Sequence, residues 1–69
     1  MTEISVVVNG EPRAVGQGSS LDDLLRALDL DPRMVVVEHN RAIVRRNALS
    51  DTALTEGDRI ELVHFVGGG

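Results

Sequence analysis

The chain has 69 residues, no cysteine, a single aromatic residue and a formal net charge of −4 from 11 acidic and 7 basic side chains. This length specifies one small domain that buries only about 60% of its unfolded surface, and the missing cysteines exclude a disulfide framework, a thiolate nucleophile and a zinc–thiolate centre. The acidic balance and the lack of stacking aromatics argue against nucleic acid, while the absence of a basic leader and of roughly 20 consecutive apolar residues leads us to expect a cytoplasmic protein with no membrane partner.

Alternation places a first strand over residues 3–8, with Ile4, Val6 and Val8 on one face. Asn9-Gly10 follows, the strongest short hairpin signal, because both central positions of a type I′ turn need positive φ. The returning strand covers residues 11–15, and Pro12, which lacks a backbone donor, either assigns it to a sheet edge or shifts the pairing there.

Gly16-Gln17-Gly18 breaks that strand. Ser20 and Asp23 have capping-box spacing at the start of a helix, and Asp22 and Asp23 suit the positive end of its dipole. Leu21, Leu24, Leu25 and Leu28 repeat at the interval of one buried helical face. Asp31-Pro32 predicts that the helix ends by about Leu30.

Residues 34–39 form a third strand, with Val35 and Val37 facing inward. Asn40-Arg41 is a turn, residues 42–44 a short strand, and residues 45–52 a loop with room for one helical turn. Thr55–Asp58 is a tight turn with Gly57 at positive φ. A final strand over residues 59–66 runs into Gly67, Gly68 and Gly69. One helix with four or five strands indicates an α+β domain with the helix on one sheet face and the first and last strands paired at the centre. The chain thus divides into a domain over residues 1–66 and a flexible glycine tail over residues 67–69.

Three glycines without Cβ atoms can enter a narrow cleft, and when extended they carry the terminal carboxylate about 10 Å beyond Val66. A frayed terminus has the same composition. All 7 basic residues are arginines, so an activated terminal carboxyl would meet no lysine on its own chain or on a sister molecule.

The order of elements resembles the ubiquitin-like β-grasp fold, a mixed four- to five-stranded sheet with one main helix packed on one face. More closely, the chain resembles the sulfur-carrier family of thiamine biosynthesis over nearly its whole length. The residues that carry the likeness are Val8-Asn9-Gly10-Glu11, Leu21-Asp22-Asp23-Leu24-Leu25, the run from Val35 to Val44, Glu56-Gly57-Asp58-Arg59-Ile60 and the final Gly68-Gly69. Relatives often have proline where Arg45 stands, and they vary at the position of Gly67.

The resemblance implies a carrier and not an enzyme. The terminal carboxylate, here that of Gly69, is adenylated by a partner resembling ubiquitin-activating enzymes. ATP and magnesium are used by that partner, and the carrier binds no cofactor. A cysteine desulfurase or sulfurtransferase supplies the sulfur that converts the adenylate to a thiocarboxylate, and thiazole synthase consumes it. Gly67 and Gly68 would thread the tail into the activating site. Carriers for molybdopterin, tRNA thiolation or cysteine synthesis share this fold and tail. A ubiquitin-like protein modifier and a plain interaction module are further alternatives.

A docking patch follows from parity on the last strand. Glu61 marks the solvent side, which places Val63 and Phe65 outward on the face away from the helix, beside Val66 and the tail. The other reading has Phe65 curl over the sheet edge or fill core space. Arg41, Arg45, Arg46 and Arg59 either meet an acidic partner or are solvated. His39 and His64 stand alone without metal-ligand spacing, and Gly16-Gln17-Gly18 lacks the pattern of a phosphate loop.

Overall fold

A computed structural model describes residues 2–65. Met1, Val66, Gly67, Gly68 and Gly69 lie outside the described residues, as does the expected boundary between domain and tail. The strands are β1 (Glu3–Val8), β2 (Glu11–Gly16), β3 (Val35–His39), β4 (Ala42–Val44) and β5 (Arg59–His64), with one helix, α1 (Leu21–Ala27). They form a five-stranded sheet in the order β2-β1-β5-β3-β4. β1 and β5 pair in parallel at the centre, and the remaining neighbours are antiparallel.

Both hairpins close through two-residue turns whose central residues take left-handed backbone. Asn9 and Gly10 have φ of 49° and 83°, and Asn40 and Arg41 have 50° and 75°. β2 is an edge strand, and Pro12 sits opposite Val7 where a missing donor is tolerated.

Ser20 caps α1 reciprocally with Asp23: the Asp23 amide donates to Ser20 Oγ at 3.1 Å, and the Ser20 amide donates to Asp23 Oδ2 at 2.9 Å. Those bonds, the Ser20 amide foremost, hold the Asp23 carboxyl below its ordinary pKa. The helix stops earlier than Asp31-Pro32 implies. Asp29 adopts φ 59°, its amide donates to the Arg26 carbonyl at 3.0 Å, and the Leu30 amide donates to the Leu25 carbonyl at 2.9 Å. This is a Schellman ending with aspartate where glycine is usual. A 3-10 turn at Pro32–Met34 then leads into β3.

The core lies between α1 and one sheet face. Leu21, Leu24 and Leu25 pack with Val6, Val35, Val37 and Ile60, and Leu28 flanks them. Each fully buried side chain of this kind contributes about 1.5–3 kcal/mol before entropy is counted. Leu49 and Leu54 complete the cluster. Leu49 belongs to a 3-10 segment, Arg46–Asp51, that packs on α1, so the region expected to be mostly loop supplies core. The Leu21 amide donates to the Thr52 carbonyl at 3.0 Å and the Leu54 amide to the Ser19 carbonyl at 2.8 Å, tying the start of α1 to the approach to β5.

Candidate functional site

β5 is the element from which the glycine tail departs, and it is gripped from both sides. The Asn9 amide N–H donates to the Ile60 carbonyl at 2.9 Å. Its side chain then accepts from the Leu62 amide at 2.7 Å and donates to the Leu62 carbonyl at 3.2 Å. The Asn9 carboxamide therefore stands in for a strand residue where β1 has ended. Asn40 does the equivalent from the other side. Its N–H donates to the Arg59 carbonyl at 2.8 Å and its Oδ1 accepts from the Arg59 amide at 2.9 Å. Each asparagine is the first residue of its hairpin turn, and neither grip was anticipated from the sequence, where both read as turn formers.

Beneath the start of β5 lies a buried polar cluster. Asp58 is 7% exposed. It accepts from His39 Nε2 at 2.7 Å, from the Thr55 amide and hydroxyl at 2.8 Å each, and from Asn40 Nδ2 at 3.1 Å. Burial alone raises the Asp58 pKa, and the hydrogen bonds from His39, Thr55 and Asn40 outweigh it, holding the carboxyl well below the usual carboxylate range. The cluster fixes the turn before β5 against the β3–β4 hairpin. His39 is thus a structural residue. His64 is exposed at the opposite end of the β3–β5 ladder, paired with Val35.

Among the described residues, none covers the sheet face away from α1. Val63 is 58% exposed, and Phe65 is 49% exposed with its amide donating to the Met34 carbonyl at 2.8 Å. The reading in which Phe65 fills the core is thereby set aside. Ile43 is 69% exposed on the same face and was missed. A three-residue strand offers too few positions for periodicity to assign an inside and an outside. Arg41, Arg45, Arg46 and Arg59 are exposed, and none forms an ion pair among the described residues. The expected site residues Val66, Gly67, Gly68 and Gly69 lie outside the described residues.

This geometry can present a firmly held strand, an apolar patch beside its end and whatever the strand carries beyond it. It offers no array of groups for bond chemistry among the described residues.

The chain matches the model of the ThiS family over residues 6–69. A thiazole synthase of Magnetococcus marinus is 42% identical over 66 residues, covering 96% of this chain and 20% of that protein. The sulfur carrier protein ThiS of Bacillus subtilis is 40% identical over 50 residues, covering 72% of this chain and 76% of that one. The crystal structure of a thiamine biosynthesis protein (ThiS) from Geobacter metallireducens superposes with a TM-score of 0.81 at 33% identity, covering 96% of this chain and all of that one. The chain spans only about a fifth of the thiazole synthases it resembles, at 20% of their length.

Proposed function

Because the chain belongs to the ThiS family, we propose that it is a sulfur carrier for thiazole formation in thiamine biosynthesis. It is a recycled cosubstrate and not a catalyst. The observation that carries this reading is a family match that runs through Gly69 itself.

In this reading the Gly69 carboxylate attacks the α-phosphate of ATP in a ubiquitin-activating-enzyme-like adenylyltransferase, expelling pyrophosphate. A carboxylate is a poor electrophile, and the acyl-adenylate corrects that by supplying AMP as leaving group. The persulfide of a cysteine desulfurase or sulfurtransferase displaces AMP to give an acyl disulfide, and a second thiol of that donor attacks the S–S bond, releasing the thiocarboxylate and leaving a disulfide on the donor. Thiazole synthase then takes the sulfur. ATP and magnesium belong to the activating partner. Likeness to two thiazole synthases favours this branch over molybdopterin, tRNA thiolation or cysteine synthesis.

The fold's part is positioning. The asparagine grips fix β5, so that Gly67 and Gly68 thread into a partner's cleft from a defined origin, while Val63, Phe65 and Val66 form the neighbouring contact. The absence of lysine leaves the activated carboxyl without an ε-amine on its own chain to capture it.

The test is ATP–pyrophosphate exchange by the adenylating enzyme of the same organism. The intact chain should stimulate exchange. Deletion of Gly69, which moves the carboxyl away from the nucleotide, should abolish it. Equal exchange from both chains would refute the assignment of Gly69.

A further inference from the structure

The centre of the uncovered sheet face holds two like charges in direct opposition. Glu38 on β3 pairs with Glu61 on β5 in the antiparallel register. Opposed residues in such a ladder share a face, with Cβ atoms about 5 Å apart. Neither glutamate forms an ion pair with any arginine among the described residues. On the same face Ile43 lies opposite Glu38, Val36 lies opposite Val63 and Phe65 follows, while exposed Arg59 stands two residues before Glu61 without an ion pair among the described residues. Like charges directly opposite each other destabilise an isolated sheet. The sequence has therefore placed an unfavourable pair beside its exposed large apolar side chains, Ile43, Val63 and Phe65.

We propose that this face docks a partner protein whose own apolar surface presents an arginine or lysine to the space between Glu38 and Glu61. The inference rests on the carrier reading and names the chemistry of the partner at that surface. A cation set between two carboxylates and ringed by apolar contacts is desolvated on docking, which strengthens its attraction to both. The same pair argues against a second copy of this chain as occupant. A two-fold self-contact would bring four carboxylates together, so the pair also keeps carriers from associating through their exposed valines. An anionic membrane or nucleic acid is repelled for the same reason.

The experiment uses the full chain and the thiazole synthase of the same organism, with affinity measured calorimetrically across a salt series. The variants are Glu38→Gln, Glu61→Gln, the double variant and Glu61→Arg. Asp51→Asn serves as a control with the same change of charge, since Asp51 is exposed in the segment that packs on α1. Each glutamine variant should bind about tenfold more weakly with a shallower salt dependence, Glu61→Arg should lose measurable docking, and the control should bind as the parent does. At the same time the double variant should melt higher by about 1–6 °C, because the repulsion is gone. A purely structural role cannot raise stability while lowering affinity.

Parental affinity and salt slope in the glutamine variants would overturn the inference and leave the carrier reading intact. So would a dimer of the parent chain that tightens in the glutamine variants. A parent chain that fails to bind thiazole synthase overturns the carrier reading, and the inference with it.

Discussion

His39 Nε2 donates to Asp58 Oδ2 at 2.7 Å, across 19 residues of chain, and this contact joins the end of β3 to the turn that launches β5. Among the described residues Asp58 is the buried charged one, and four protein donors surround it. Removing it strands those donors. Asp58→Ala should cost about 2–3 kcal/mol, the expense of leaving buried polar groups unsatisfied. Asp58→Asn should cost less. Urea unfolding of the three proteins measures both losses, and an alanine variant as stable as the parent contradicts the assignment.

The same carboxylate sets the acid limit of the fold. Its folded pKa lies below the ordinary value because hydrogen bonds favour the charged form more than burial disfavours it. A depressed folded pKa adds stability that is fully present above the unfolded value of about 4 and is lost as pH falls further. Asp31, held at about 2 first by the Arg33 side chain, shifts in the same direction at the surface. Stability should therefore decline on acidification below about pH 4. Asp58→Asn should flatten that decline, and an unchanged acid limb in the variant would show that Asp58 is not its cause.

The Asn9 grip on Leu62 makes a separable contribution. Asn9→Gly preserves the positive φ of the turn and deletes only the two side-chain bonds to β5. It should destabilise the domain by about 1–2 kcal/mol. Amide exchange at Leu62 should accelerate more than exchange at Val37 on the neighbouring strand. Equal acceleration at both sites would indicate a global effect and not a local clamp.

Four non-glycine residues among those described hold left-handed backbone, and two of them, Asp29 and Arg41, are not asparagines. Asp29 closes α1 at φ 59° and Arg41 is the second turn residue of the β3–β4 hairpin at φ 75°. Asp29→Gly and Arg41→Gly should each stabilise the chain by about 0.5–1 kcal/mol, the steric relief being partly offset by a more flexible unfolded state. Thermal unfolding checks both, and destabilisation at either site would mean that its side chain makes an unrecognised favourable contact.

These positions also mark where sequence reasoning runs out. β1, the Asn9-Gly10 turn, the Ser20–Asp23 cap and the leucine face of α1 were legible because each is specified by neighbours within a few residues. The end of α1 was not, since the residue that stops it is an aspartate in a glycine's conformation. Ile43 was missed because its strand is too short to show a period. The opposition of Glu38 and Glu61 depends on register between strands distant in sequence, which tertiary packing sets. Val63 and Phe65 were readable as exposed from the parity of Glu61 alone. The proposed contact surface was thus half visible: its apolar part followed from one strand, and the opposed glutamates required two.

Whether Gly69 carries sulfur is decided by intact-protein mass spectrometry. The chain is incubated with ATP, magnesium, the adenylating enzyme of the same organism and a sulfur source. The mass should rise by the exchange of one terminal oxygen for sulfur, and the rise should be absent when Gly69 is deleted. An unchanged mass, with an activating enzyme shown to adenylate another carrier, would contradict sulfur carriage by Gly69.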